Sequence, residues 1–183
     1  MRTTQFVNGE FYHLYNRGVE KRDIFANEKD YMKFLLSLHI FNTVDSHENI
    51  HLDRKIKQGL DLVLPSLQHQ HHQLLVDITA FCLMPNHYHL LVRQRAKNGI
   101  VRLIQRLGTG YTMYANKKYE RTGVLFQGKF KSILVDKEEY LLALLNYIHL
   151  NPLDLKEYRW KENGIKNWRE AQKFLEEYRW SSY

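Results

Sequence analysis

Two hydrophobic periodicities follow each other in the first quarter of this chain. Residues 10–17 alternate and are rich in aromatic side chains, which predicts a β-strand. From Asn27, a predicted N-cap, apolar positions then recur at helical spacing to about Phe41. The chain therefore begins with a strand and a helix.

A long polar stretch and a hairpin pattern come next. Residues 42–73 are polar and histidine-rich, include the run HQHH at 69–72, and are unusually long for a connection inside a compact domain. We interpret them as a variable insertion, with the histidine run solvated and outside the functional site. Apolar segments at 74–84 and 87–94 then flank the Pro-Asn dipeptide at 85–86, which predicts a β-hairpin.

Three further elements are predicted in the second half. An apolar helical stripe follows Gly99, and residues 130–136 predict a fourth strand. Asp136 with Glu139 resembles an acidic capping box for a last helix, which ends near Asn151. The members of the stripe are Ile100, Ile104, Leu107, Tyr111 and Tyr114.

The predicted order β-α-β-β-α-β-α indicates the α+β class. It is the order of a ferredoxin-like split βαβ fold, in which an antiparallel sheet carries helices on one face, here with an added C-terminal helix. We expect one main domain over residues 1–153 and a C-terminal extension with a short helix over 154–183.

Composition limits the class of protein. A chain of 183 residues with 44% hydrophobic content is sufficient for one domain with a real core. It contains neither an N-terminal apolar signal region nor the roughly 18 uninterrupted apolar residues that cross a bilayer. Cys82 is the single cysteine, which excludes an internal disulfide and a cysteine-based zinc site. We expect a cytoplasmic protein that does not bind membranes.

Positive charge is concentrated in one region. The chain carries a formal charge of +7, but ten Lys or Arg and one acid between Arg93 and Lys131 give that region +9. Aromatic residues interleave with these cations, a pattern typical of contact with a phosphate backbone and stacked bases, although a solvated basic face is the alternative. The cations that we predict to bind nucleic acid are Arg93, Arg95, Arg102, Arg106, Lys117, Lys118, Lys129 and Lys131.

A histidine pair interrupts the second strand of the predicted hairpin. Strand alternation places His87 and His89 on one face with Leu91, with their roots about 7 Å apart, so that both imidazoles can reach one cation. Two satisfied histidines on a solvated face are the alternative. His13, on the first strand, either supports this pair from the neighbouring strand or is a partly exposed strand histidine.

The last predicted helix contains two further candidates. Tyr147 and Asn151 are four residues apart and share one helix face, whereas His149 points about 200° away from Tyr147. The alternatives are that Tyr147 is a core aromatic residue and that Asn151 only terminates the helix before Pro152.

Six segments that together span the chain resemble one protein family. The chain is similar to the HUH-superfamily single-tyrosine transposases, in particular the REP-associated tyrosine transposases and their IS200-like insertion-sequence relatives. The matching segments are YHLYNRG (12–18), DIFANEKDYMKFL (23–35), FCLMPNHYHLLV (81–92), RTGVLFQGKFKSILVD (121–136), YLLALLNYIHLNPL (140–153) and YRWSSY (178–183).

This resemblance implies a set of site residues. It makes His87 and His89 the metal ligands of the HUH motif, Tyr147 the nucleophile and Asn151 the third ligand. Insertion-sequence relatives typically have Gln at this last position, so Asn favours the REP-associated branch. The resemblance also implies Mg²⁺ or Mn²⁺ as the cofactor. Tyrosine has a free pKa of about 10 and is a poor nucleophile at neutral pH, so it needs a polarised phosphorus or a base.

The implied function is cleavage and rejoining of hairpin-flanked single-stranded DNA through a 5′-phosphotyrosine, as in DNA transposition or mobilisation of REP elements. Two other functions stay open: a hairpin DNA or RNA-binding module that does not cut, and a metal-dependent phosphodiester hydrolase that uses water. The protein is expected to act as a monomer or as a homodimer, with Tyr147 serving its own histidine pair or that of a partner.

Overall fold

The computed structural model describes residues 5–44, 73–156 and 160–183. Most of the predicted insertion, including the histidine run at 69–72, lies outside these described residues. The elements in chain order are β1 (Phe11–Arg17), a 3₁₀ turn (Val19–Lys21), α1 (Glu28–Phe41), β2 (Val76–Met84), β3 (His87–Gln94), α2 (Gly99–Lys118), β4 (Lys131–Val135), α3 (Glu138–Leu150), a 3₁₀ turn (Asn151–Lys156), α4 (Trp160–Asn163) and α5 (Trp168–Glu177).

The four strands form one antiparallel sheet in the order β2-β3-β1-β4. A helix connects β1 to β2, and another connects β3 to β4. Strands β2 and β3 form the hairpin around residues 85–86. The α+β, ferredoxin-like prediction is thereby confirmed.

Helices cover both faces of the sheet. Tyr12 and Leu14 of β1 point toward α1 and α2, where they join the main core with Phe34 and Tyr111. These side chains are at most 1% exposed, and full burial of each contributes about 1.5–3 kcal/mol. A second, smaller cluster on the other face contains Leu91, Val135, Leu144 and Ile148, so α3 packs on the side opposite α1 and α2.

The start of α1 is tied to the end of α2. Asn27 caps α1 as predicted, in a capping box completed by Asp30. The Asp30 carboxylate is fully buried and also accepts bonds of 2.6 Å from Lys118 Nζ and 2.6 Å from the Tyr119 hydroxyl. Burial alone would raise the pKa of Asp30, but these hydrogen bonds outweigh it and the pKa lies below its ordinary value.

The predicted capping box of α3 is wrong. The helix begins at Glu138 with Lys137 as its N-cap, and no side chain bonds to the cap position. Asp136 therefore lies one residue before the N-cap, where its carboxylate does not reach the free N–H groups of the first turn. Glu138 and Glu139 still favour this end because they lie in the first turn, near the positive end of the helix dipole.

The two ends of the insertion meet at the end of α1. Thr43 forms a β-bridge with Leu74, and the Asn42 amide bonds both the N–H and the C=O of Val76 at 2.9 Å. Because the chain leaves and re-enters at adjacent points, residues between them can vary without changing the sheet.

The C-terminal extension returns to the sheet. The predicted short helix is present as α5, and its Ala171 and Leu175 are buried in a cluster with Leu153. Beyond it, Trp180 stacks on Tyr31 with ring centroids 4.6 Å apart. Backbone bonds then join residues 180–182 to β2, from Leu83 N–H to the Trp180 carbonyl at 2.8 Å and from Ser182 N–H to the Phe81 carbonyl at 3.0 Å. This pairing covers the outer edge of β2. In the described residues, no helix has the length and apolar character needed to span a membrane.

Candidate active site

The two predicted histidines lie together on the α3 face of β3. His87 and His89 have ring centroids 5.1 Å apart and are almost perpendicular to each other. Their strand runs between β1 and β2, with His89 opposite Tyr15 and His87 opposite Arg17. The alternation of β3 therefore places both imidazoles on one face, as the sequence predicts.

A hydrogen bond orients each imidazole. Nδ1 of His87 lies 2.6 Å from Oδ1 of Asn86, and Nδ1 of His89 lies 2.8 Å from Nε2 of His13. When each Nδ1 carries the proton and donates it in these bonds, Nε2 of both rings keeps a lone pair. His13 thus supports the pair from β1, and Asn86, which sequence reasoning took only as a turn residue, supports it from the hairpin.

Burial keeps these imidazoles neutral. It lowers the pKa of His89 to about 2, and repulsion from the protonated forms of His87 and His13 and from Lys161 acts in the same direction. Burial also lowers the pKa of His13 to about 4. The pKa of His87 is lowered by burial as well, which outweighs the opposite effect of the nearby Asn151 amide. Neutral imidazole is the form that binds metals.

Tyr147 and Asn151 face this pair from α3. The Tyr147 ring lies edge to face with His89, with centroids 5.4 Å apart, and 6.3 Å from the His13 ring. Asn151 is fully buried and donates from Nδ2 to the Tyr147 carbonyl at 3.0 Å. His149 points away and bonds the Ser182 hydroxyl at 3.0 Å, as the helical spacing predicts.

One buried acceptor in this site has no protein partner. Oδ1 of Asn151 is buried and accepts no hydrogen bond within the described residues. Such a group is costly unless a partner satisfies it, by roughly 1–3 kcal/mol. The described residues contain no group of three or more His, Cys, Asp or Glu placed to hold a metal, so a cation here would need the amide oxygen of Asn151 beside His87 and His89. The two imidazoles and the orphaned oxygen form a donor set that fits a divalent ion.

The site opens into a basic pocket of about 560 Å³. Its lining combines the two histidines and Tyr147 with four cations from two stretches of the chain, 17–21 and 129–131, and none of the described residues that line it is acidic. Such a pocket attracts a phosphate group. The four cations are Arg17, Lys21, Lys129 and Lys131.

Two of these cations, Arg17 and Lys21, lie outside the basic region 93–131 and were not predicted from the sequence. Arg17 could have been predicted from the sequence, because residues 13, 15 and 17 share one face of β1 and His13 and Tyr15 lie on that face. Lys21 follows the strand in an irregular turn, and no pattern in the sequence indicated it.

A third missed cation comes from the C-terminal extension. Nζ of Lys161 lies 4.9 Å from the centroid of the Tyr147 ring and 2.7 Å from a carboxylate oxygen of Asp154. Trp160 also borders Tyr147, with ring centroids 6.2 Å apart. Residues that follow the predicted catalytic helix therefore contribute to the surroundings of Tyr147, although no pattern in that part of the sequence indicated it.

The eight cations predicted to bind nucleic acid divide into groups. Lys129 and Lys131 line the basic pocket. Arg93 and Arg95 instead pair with Asp77, at 2.8 Å and 3.1 Å. Lys117, in the last turn of α2, is exposed and does not line the basic pocket, while Lys118 is bound to Asp30.

Two arginines of this set hold the end of α1. Arg106 donates to the carbonyls of Phe41 and Thr43, at 3.3 Å and 2.8 Å, and Arg102 donates to the carbonyl of Val44 at 2.7 Å. These bonds give both arginines a structural role, while their contact with DNA stays a prediction.

Comparison with known proteins identifies the family. Residues 32–151 match the sequence profile of the family described as Transposase IS200 like, a segment that contains the histidine pair and ends at Asn151. The chain belongs to the IS200-like transposase family. A search of curated proteins gives no match. Among solved structures, this transposase is similar to a REP-associated tyrosine transposase bound to a REP hairpin, with a TM-score of 0.53 and 10% sequence identity, over 100% of this chain and 82% of that chain. At this identity the similarity shows a shared fold.

Proposed function

We propose that this transposase cleaves and rejoins single-stranded DNA beside a hairpin through a covalent link to Tyr147. The observation that carries the proposal is that Tyr147 and two oriented neutral imidazoles line one basic pocket, with the buried Asn151 amide beside His87. A module that only binds DNA has no need of this set, and hydrolysis by water has no need of the tyrosine.

The reaction is a transesterification. The hydroxyl oxygen of Tyr147 attacks the scissile phosphorus, the bond from phosphorus to the 3′-oxygen breaks, and the 5′ end of the DNA becomes joined to the tyrosine. The phenol gives up its proton, and the departing oxygen takes up one to become a 3′-OH. Because the phosphotyrosine is still a phosphodiester, a 3′-OH can attack it and reseal a strand without ATP.

A divalent cation, which we take to be Mg²⁺ or Mn²⁺, fits the donor atoms that the protein leaves available. Nε2 of His87, Nε2 of His89 and Oδ1 of Asn151 would hold it. Held there, it would supply Lewis-acid polarisation of the scissile phosphate. The bonds from His13 and Asn86 orient the two rings.

The basic pocket is the proposed place of the DNA backbone. Arg17, Lys21, Lys129 and Lys131 would neutralise the phosphates next to the cleaved bond. The solved relative with this fold was bound to a REP hairpin, which supports a hairpin as the partner. Tyr147 lies beside the histidines of its own chain, which supports cleavage by a single subunit.

The test is a denaturing gel with end-labelled single strands from a hairpin library. We expect a protein–DNA adduct that forms with Mg²⁺ or Mn²⁺ and disappears with a chelator. Tyr147→Phe should abolish the adduct and leave DNA affinity and melting temperature nearly unchanged, because only the hydroxyl is lost. Tyr140→Phe, on the same helix, is the matched control and should form the adduct normally.

Other outcomes would point to the other functions. An adduct formed by the Tyr147→Phe protein would place the nucleophile elsewhere. Cleavage without an adduct in the unaltered protein would indicate a hydrolase, and tight binding without cleavage would indicate a binding module.

A further inference from the structure

A second cavity, of about 800 Å³, lies beside the catalytic pocket between α2 and the segment 123–130. Asn16 and Lys129 line both cavities, so the two meet at these side chains. A strand with a phosphate in the catalytic pocket therefore has the second cavity as its neighbour.

Gly108 of α2 faces this cavity, and packing within the fold does not explain why this helical position is a glycine. Glycine is less favourable than alanine inside a helix, so α2 is weakened at both Gly108 and Gly110. At Gly110 packing explains the residue, because a Cβ atom would lie 3.1 Å from the Phe41 ring. At Gly108, a lining residue of the cavity, a Cβ atom would meet nothing within 4 Å. The missing side chain keeps a space open above the backbone of α2.

The walls of the cavity suit a flat group with polar edges. Ile104 and Leu125 contribute apolar surface, and Phe126 and Phe130 contribute aromatic rings. Polar side chains on α2, one asparagine of β1 and one lysine complete the lining, which is a mixture typical of sites for amphipathic ligands. These polar side chains belong to Asn16, Gln105, Thr109, Thr112 and Lys129.

We propose that this cavity binds an unpaired nucleobase of the DNA strand whose phosphate lies in the catalytic pocket. The base would stack on the aromatic wall and lie over Gly108, its edge would meet Gln105 or Thr109, and Lys129 would pair with its phosphate. The inference rests on the proposed DNA substrate and adds a contact that selects the sequence near the cleavage site.

The test couples base removal to filling of the cavity. A series of labelled strands carries an abasic nucleotide at successive positions, and the dissociation constant of each is measured by fluorescence anisotropy. With the unaltered protein, one abasic position should weaken binding about tenfold, which is the loss expected for one stacked base. Gly108→Leu should weaken binding of the intact strand similarly, and the same abasic position should then cost nothing further.

Two variants guard against a folding defect. Gly108→Ala should raise the melting temperature by about 2–4 °C, because alanine favours the helix, and yet weaken binding slightly. Met113→Leu is the matched control, since Met113 is exposed on α2 outside the cavity, and it should bind like the unaltered protein.

The proposal is wrong if Gly108→Leu leaves the affinity for the intact strand unchanged. It is also wrong if, at every abasic position, the losses of affinity from Gly108→Leu and from base removal simply add. Adduct formation at saturating DNA is measured in parallel. If an adduct forms but the effects of Gly108→Leu and of base removal are additive, the proposed base pocket is wrong and the proposed chemistry stands. If the two effects are not additive but no adduct forms, the proposed chemistry is wrong and the base pocket stands. If the protein binds no DNA, both the base pocket and the proposed chemistry are wrong.

Discussion

On the face covered by α1 and α2, β3 presents a tyrosine, a leucine and a valine, whereas on the face covered by α3 it presents two histidines and a leucine. The first face is closed mainly by apolar contact, with a few buried hydrogen bonds such as that from the Tyr111 hydroxyl to the Ile24 carbonyl at 2.7 Å. The second face is also largely buried, but both of its histidines are held by hydrogen bonds, His89 by His13 across the sheet and His87 by Asn86 of the hairpin. One strand can serve folding and chemistry because its period of two separates the residues for each.

The two faces should also differ in what they contribute to stability. The α1/α2 face belongs to the larger apolar cluster, whereas the α3 face has a small one beside the imidazoles. Substitutions at adjacent positions of β3 can therefore separate the two contributions.

The largest effect is expected from His89→Ala. Adduct formation should fall below detection, and added Mn²⁺ should not restore it, because the site loses an imidazole and His13 loses its partner. The fold should persist, with a loss of unfolding free energy of about 1–3 kcal/mol for the unpaired His13 nitrogen. A gel assay and denaturant unfolding measure both. Adduct formation at the normal rate would remove His89 from the site.

Leu90→Ala, one residue further along β3, should lower stability strongly and leave adduct formation nearly unchanged. Leu90 is fully buried on the α1/α2 face, so its truncation should lower the unfolding free energy by about 2–5 kcal/mol. Because the side chain points away from the histidines, the rate of adduct formation at saturating DNA should stay within about twofold in protein that is still folded. A rate that falls as steeply as stability would show that the two faces are coupled.

The smallest effect concerns charge. Lys129→Gln with Lys131→Gln should flatten the log–log dependence of DNA affinity on salt by about one to two units, since each lost phosphate contact accounts for about 0.7–0.9. Arg102→Gln with Arg106→Gln is the contrasting pair, because these side chains hold the end of α1 and their loss should mainly lower stability. If the arginine pair flattens the salt dependence instead, DNA lies on α2, as the charge pattern alone predicts.

Local geometry explains why much of the site could be predicted. A strand brings residues two apart to one face, which groups His87 with His89, and a helix does the same for residues four apart, which groups Tyr147 with Asn151. The failed capping box at Asp136 has a related cause, because a shift of one residue in a helix start changes which side chain can cap it.

Spacing along the chain is enough to predict the order of elements and the face of each strand, and it groups His87 with His89 and Tyr147 with Asn151. The chemical roles proposed for these four residues come from the family resemblance. The hydrogen-bond and ring partners of these residues follow from the packing of the whole fold. The bond from His13 to His89 joins residues 76 apart, and it depends on the register of β1 against β3. Lys161 reaches Tyr147 only because the extension folds back beside α3. Contacts of this kind are set by packing between elements, which no local period encodes.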